Sequence, residues 1–146
     1  MKIPRLSMIT LGVSDLDKST WFYEAVLETH PNTSYEGITF IELPGVWISL
    51  YPLEHLAKDT SKQIKPIHNP FNGITLAHNT KTREEVDAIF QRAESAGAHI
   101  IKKPKDTFWG GYSGYFSDPD EYHWEIAWGP MFEFTEQGDL KFKSTV

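Results

Sequence analysis

The stretch Gly110-Gly111-Tyr112-Ser113-Gly114-Tyr115-Phe116-Ser117-Asp118-Pro119-Asp120-Glu121-Tyr122-His123-Trp124-Glu125-Ile126-Ala127-Trp128 reads as two strands joined by a tight turn. Proline at the second turn position pre-sets φ, and an aspartate carboxylate accepts from nearby backbone N–H groups. On both sides of Asp118-Pro119-Asp120-Glu121, aromatic and β-branched residues alternate with small or polar ones. A period of two puts Trp124, Ile126 and Trp128 on one face of the second strand, and His123, Glu125 and Ala127 on the other. In the first strand Tyr112, Gly114 and Phe116 share a face, and Ser113, Tyr115 and Ser117 share the opposite one. Glu125 stands mid-strand. A carboxylate there is costly unless it meets a polar cavity, a metal or a hydrogen-bonding partner.

Working outward, Ile9-Thr10-Leu11 recurs as Ile74-Thr75-Leu76, and each copy opens a similar unit. The first unit begins with a strand over Leu6–Val13 and a helix over Asp15–Leu27. Ser14 or Asp15 caps that helix, and Leu16, Phe22, Tyr23, Val26 and Leu27 give it an apolar stripe. The second begins with a strand over Gly73–Asn79 and a helix over Arg83–Ala96. Thr82 and Glu85 make a capping-box pattern, Val86, Ile89, Phe90 and Ala93 the buried stripe, and Gly97 the stop. Three strand-like runs follow each helix: Thr33–Tyr35, Ile38–Leu43 and Val46–Tyr51, then His99–Ile101, Tyr112–Ser117 and Tyr122–Trp128. The order is βαβββ twice, an α+β fold of two modules. The expectation is a single domain over 1–146: module one about 5–52, a linker 53–72 containing Pro66 and Pro70, module two about 73–130, and a tail 131–146. A short helix is expected at Leu53–Lys58 and a small hairpin around Gly138.

Composition narrows the function classes. The 146 residues suffice for one domain, and the chain contains no cysteine, which excludes disulfide scaffolds, thiolate metal sites and cysteine nucleophiles. No apolar run is long enough to span a bilayer and no signal peptide is read, so no membrane role is expected, and the lack of cysteine makes a reducing cytoplasm the expected location. The net charge is −6 with no basic stripe, which argues against nucleic acid as a partner and leaves a cationic small molecule as one candidate ligand. Aromatic residues make up 14% of the chain, several at turn edges, and suit a pocket for a small organic ligand. The chain has no Gly-x-Ser-x-Gly elbow, Gly-rich phosphate loop or HExxH motif. Gly110-Gly111 reads as freedom for a loop that closes over the pocket.

Alternation assigns the sheet faces. Ile9, Leu11, Val13, Ile74, Leu76, Val46, Ile48, Leu50, Trp124 and Ile126 should meet the helices. The opposite face then carries Met8, Thr10, Gly12, Trp47, Ser49, Tyr51, Gly73, Thr75, Ala77, Asn79, His123 and Glu125, a small, polar and aromatic set suited to lining a cavity.

The pattern Leu11-Gly12-Val13-Ser14-Asp15-Leu16-Asp17-Lys18-Ser19 with Phe22-Tyr23 and Leu27, the doubled βαβββ plan, and Phe116-Ser117-Asp118-Pro119-Asp120 followed by Glu125 resemble the vicinal oxygen chelate superfamily. That group includes glyoxalase I, extradiol dioxygenases, fosfomycin-resistance enzymes and bleomycin-binding proteins. The resemblance covers roughly residues 5–130. It implies a cupped mixed sheet with helices on its outer face, and a homodimer. Two positions depart from the family pattern: Glu121 and Glu28 stand where glycine is usual, suggesting slightly different turns.

The resemblance also implies a divalent ion held by His and Glu from the first strand of each module and from the last strands. Carried over residue by residue, those positions fall on Met8, on Gly73 or Thr75, on Ser49 or Trp47, and on Glu125. Only Glu125 is a donor suited to a hard divalent ion, and one carboxylate does not hold such an ion alone. No cofactor is therefore expected. A replacement site would need His123 beside Glu125, with His78 joining only if its strand register shifts by one. Glu125 has three roles open to it: a structural hydrogen-bond hub with Tyr115, Ser113 or Thr10, an anchor for a ligand, or a catalytic acid–base group. The expected ligand-binding set is Thr10, Trp47, Ser49, Tyr51, Thr75, Asn79, Trp109, Ser113, Tyr115, His123 and Glu125. The expected function is metal-independent binding of a small organic molecule. The rivals are a lyase, isomerase or dioxygenase with a rearranged metal site, and a drug-sequestering protein of the bleomycin-binding type.

Overall fold

In the computed structural model, residues 2–60, 71 and 73–144 are described. Pro66 and Pro70 of the expected linker lie outside them. The chain divides into two compact units, Met1–Asn69 and Pro70–Val146.

In the first unit, strand β1 (Met8–Val13) leads into helix α1 (Leu16–Leu27), followed by β2 (Thr39–Ile41), β3 (Trp47–Pro52) and helix α2 (Leu53–Thr60). The Asp15 side chain accepts from the Lys18 backbone N–H and caps α1. The sheet order is β1-β3-β2, with β1 parallel to β3 and β2 antiparallel to it. Phe22, Tyr23 and Val26 of α1 are buried with Leu11, Val13, Ile41, Ile48 and Leu50, the apolar face set by alternation. The run at Thr33–Tyr35 is not a strand. Only an isolated bridge forms there, between Asn32 and Phe40. The Asn32 carboxamide instead accepts from the backbone N–H and hydroxyl of Ser34, local bonds that turn the chain away from a ladder.

In the second unit, β4 (Thr75–Asn79) and helix α3 (Arg83–Ser95) are followed by β5 (His99–Asp106), β6 (Tyr112–Ser117), β7 (His123–Trp128) and a hairpin of β8 (Phe132–Phe134) and β9 (Leu140–Phe142). The order β4-β7-β6-β5 makes β4 parallel to β7 and the other pairs antiparallel. Thr82 caps α3 through the Glu85 N–H, and the Glu85 carboxylate accepts from the Lys81 N–H, one residue earlier than a standard capping box. Val86, Phe90 and Ala93 are buried with Phe116, Trp124 and Ile126. Phe90 meets Phe116 edge-on at 5.5 Å, and Phe116 stacks on Trp124. Ile74 departs from its expected place against the helix. It precedes β4, next to Gly73 at φ +87°, and is 61% exposed.

The central turn owes its shape to Asp118, whose carboxylate accepts from the backbone N–H groups of Asp120 and Tyr122. Glu121 adopts φ 67° and Glu28, after α1, adopts φ 50°. In both turns glutamate carries a backbone conformation that glycine adopts without steric penalty.

Candidate functional site

The register of the four-stranded sheet fixes which side chains share the face opposite α3. Ala77, Glu125 and Tyr115 pair in one row, continued on β5 by Lys102. Asn79, Ala127, Ser113 and Lys105 form the next row, and Thr75, His123, Ser117 and His99 the row before. Directly opposed residues have adjacent side chains on one face. Tyr115 donates its hydroxyl to Glu125 Oε2 at 2.9 Å.

Lys102 and Lys105 were absent from the sequence expectation, and the cause is local. Strict alternation from Ile100, which pairs with Phe116, would turn Lys102 towards the helix. Instead the register shifts between Ile100 and Lys102, and again between Lys102 and Lys105. Each irregularity re-aims the following side chain, so both lysines reach the face of Tyr115. The readable signal was Pro104 inside a strand-like run, because proline in strands is confined to edges and bulges. Strand β5 is both an edge and bulged.

Lys102, Lys105, Trp109, Ser113, Tyr115 and Glu125 line a cavity of about 350 Å³. Among the described residues neither lysine has a carboxylate partner within salt-bridge distance. Asp106, also at the rim, pairs with Arg83. The local charge is therefore two ammonium groups against Glu125, whose Oε2 already accepts from Tyr115. The phenol of Tyr115 is held above its ordinary pKa, first by burial and then by its bond to Glu125 and that carboxylate's charge. It remains a neutral donor at neutral pH.

The loop before β6 is a closed turn rather than a free flap. Thr107 N–H donates to the Gly111 carbonyl, Gly110 N–H to the Thr107 carbonyl, and Gly111 N–H to the Thr107 hydroxyl. Gly110 takes φ +88°. A Cβ on Gly111 would come within 2.0 Å of the Trp109 ring and 2.6 Å of the Trp128 carbonyl. The two glycines thus seat Trp109 rather than loosen the loop.

Of the expected set, the structure brings Trp109, Ser113, Tyr115 and Glu125 around this cavity. Asn79 joins Glu125 and Trp109 on a neighbouring one. Thr75 lies on the same sheet face without lining either, and His123 stacks on Phe71 at 5.3 Å. Thr10, Trp47, Ser49 and Tyr51 lie in the first unit. There Ser49 is fully buried and shares a 2.6 Å hydrogen bond with Thr10. Trp47 packs on Phe40, and Tyr51 lies against His55 of α2. Leu53 closes over Gly12, where a Cβ would meet it at 2.5 Å. Part of that face is therefore covered by α2 rather than open as a lining.

The fold family implies a divalent metal, and the donor chemistry can be tested against it. Met8, Thr75 and Ser49 occupy β1, β4 and β3, and none is an imidazole or carboxylate. Among the described residues no three His, Cys, Asp or Glu side chains converge. His78 pairs with Ile126 in unshifted register. Burial lowers its pKa, Glu85 of α3 opposes that effect and Arg92 of α3 adds to it. It therefore belongs to the helix side, away from Glu125. The residues present do not fit the family's metal.

Among the described residues no helix is long and apolar enough to cross a membrane. The chain is 26% identical over 132 residues to the metallothiol transferase FosB of Bacillus licheniformis, covering 90% of this chain and 80% of that protein. It is 29% identical over 138 residues to the fosfomycin resistance protein FosX of Listeria innocua, covering 90% and 94%. The crystal structure of a glyoxalase-related enzyme from Fulvimarina pelagi superposes with a TM-score of 0.87 at 27% identity, over 97% of this chain and all of that one. The family model for the glyoxalase/bleomycin resistance protein/dioxygenase superfamily matches residues 5–126. With that match spanning most of the chain, over the doubled α+β plan described above, the protein belongs to the glyoxalase/bleomycin resistance protein/dioxygenase superfamily.

Proposed function

We propose that this protein binds a small anionic organic molecule in the cavity of its second module, independently of a divalent metal. The observation that carries the reading is the pair Lys102 and Lys105, turned by the β5 irregularities onto the face of Ser113 and Tyr115. Two unpaired ammonium groups attract a phosphonate or carboxylate, Ser113 offers a hydroxyl donor, and Trp109 walls the side, while the one proton of the Tyr115 hydroxyl is spent on Glu125. Glu125 is then a hydrogen-bond hub that holds Tyr115 in place. A cationic drug is the poorer fit, because it would face two like charges beside a carboxylate already engaged. The similarity to the fosfomycin resistance protein FosX favours a phosphonate such as fosfomycin among the anions to try. Homodimer formation is part of the same proposal, and a monomeric mass in solution would remove it.

Calorimetric titration of the full chain with fosfomycin and with methylphosphonate tests the reading. The expected result is one-to-one binding without added metal, weakened roughly tenfold by Lys105→Gln and by raised salt. Failure of both probes to bind, or binding that appears only with a stoichiometric divalent ion and vanishes in Glu125→Gln, overturns it.

A further inference from the structure

A second cavity, of about 440 Å³, adjoins the first and shares two of its walls, Trp109 and Glu125. Its remaining surface is chemically different. Met131, Phe132 and Phe142 of the tail supply it, with Asn79 and Ala127 from the sheet. The tail is not a loose end. Phe132 pairs with Phe142, Glu133 with Lys141 and Phe134 with Leu140, so the aromatic residues share one face of the hairpin and the charged pair the other. Lys141 is ion-paired with Glu133, Lys81 lies over the Phe134 ring, and Lys143 N–H donates to the Met131 carbonyl.

The approach of this hairpin to the site is built into the backbone. A Cβ on Gly129 would come within 2.7 Å of Met131 Sδ, 2.9 Å of Trp109 and 3.2 Å of Phe132. Three apolar side chains therefore converge over a glycine at the end of β7, and Trp109 lies between the cationic cavity and the apolar one. Phe142 stands 73% exposed at the rim, its ring 5.3 Å from that of Phe132. An open aromatic pair beside a charged cavity is the arrangement expected of a site for an amphiphilic ligand.

We infer that the tail hairpin is the specificity element of the site: it selects an anion whose body is aromatic or branched and apolar. The charged head sits by Lys102 and Lys105, and the body passes Trp109 to lie against Met131, Phe132 and Phe142. This rests on the anion reading above, and extends it from the head group to the rest of the ligand. Small anions with no apolar body occupy only the first cavity and gain nothing from the hairpin.

The experiment compares phenylphosphonate with methylphosphonate on the full chain by calorimetry. The two share a head group and differ in the body alone. Wild type should bind phenylphosphonate about tenfold more tightly, as burial of a ring's apolar surface implies. Phe142→Ala removes an exposed ring and leaves the core intact. It should reduce that ratio to about two, as should Phe132→Ala if it folds. Equal affinity of wild type for the two phosphonates overturns the inference while leaving the anion reading standing. So does a preference for phenylphosphonate that Phe142→Ala leaves unchanged. If neither phosphonate binds, the anion reading fails and this inference falls with it.

Discussion

The hydroxyl of Tyr115 donates to Glu125 Oε2 at 2.9 Å from the directly opposed position on the neighbouring strand. The contact explains how a carboxylate is tolerated in the middle of β7. It also sets the character of the site: a neutral phenol and an occupied carboxylate next to two unpaired lysines. Replacing Tyr115 by Phe should lower stability by about 1 kcal/mol at neutral pH, because the carboxylate loses its partner. Chemical denaturation of the two proteins measures it.

The same contact has a pH signature. The folded pKa of Tyr115 lies above the ordinary 10.0, because burial and then Glu125 disfavour the phenolate. The folded state holds that proton more tightly than the unfolded chain. Its contribution is therefore complete below about pH 10 and is lost as pH rises through the folded value. Tyr112 behaves likewise, chiefly through its hydrogen bond to Asp87. Stability measured upward from about pH 9 should fall less steeply in Tyr115→Phe than in wild type, and least steeply when Tyr112→Phe is added. Parallel slopes for all three proteins would contradict this.

Glu125→Gln separates the roles open to that residue. With a ligand anion beside Lys102 and Lys105, removing the nearby negative charge should tighten methylphosphonate binding by roughly threefold. An organic cation anchored on the carboxylate would instead lose its binding in this variant. Titration at two salt concentrations distinguishes the outcomes, since the gain should shrink with screening.

Glu121 and Glu28 hold left-handed backbone conformations that disfavour any side chain. Glu121→Gly should therefore stabilise the protein by about 0.5–1 kcal/mol, the relief exceeding glycine's added freedom in the unfolded chain. Thermal unfolding reads this directly. A lower melting temperature for Glu121→Gly would show that the carboxylate supplies more than the turn's strain removes.

Arg83 ties helix α3 to the sheet. Its guanidinium lies 5.3 Å from the Tyr112 ring centroid and 4.9 Å from that of Trp128, and it pairs with Asp106. The ion pair is largely exposed and adds little by itself, whereas the two ring contacts add roughly 0.5–1 kcal/mol each. Arg83→Ala should cost about 1–2 kcal/mol, and Arg83→Lys should recover only part, because an ammonium does not stack as a planar guanidinium does. Urea midpoints of the two variants check the order.

The hairpin over Tyr112–Trp128 could be read from residues alone, as could both long helices, their N-terminal caps and the βαβββ order of the second module. Each rests on local physics: alternation at period two, an apolar stripe at helical spacing, a side chain that bonds the next turn's N–H. The pairing of Tyr115 with Glu125 was within reach for the same reason, since two strands joined by a short turn leave little freedom of register. The weak run at Thr33–Tyr35 was misread because Asn32 and Ser34 satisfy one another locally, which a propensity for strand does not anticipate.

The lysines, the seat of Trp109 and the second cavity were decided elsewhere. Lys102 and Lys105 face the site only because β5 slips twice against β6, and a slip is a property of the pair of strands, not of either one. Gly111 and Gly129 look like ordinary loop glycines until the indole of Trp109 is placed against both. Met131, Phe132 and Phe142 read as a tail until the β8–β9 hairpin carries them beside Asn79 and Glu125. Local chemistry thus told that Glu125 needed a partner. The hairpin's own register makes Tyr115 that partner, and the two slips of β5 against β6 decided that the charges left to meet a ligand are positive.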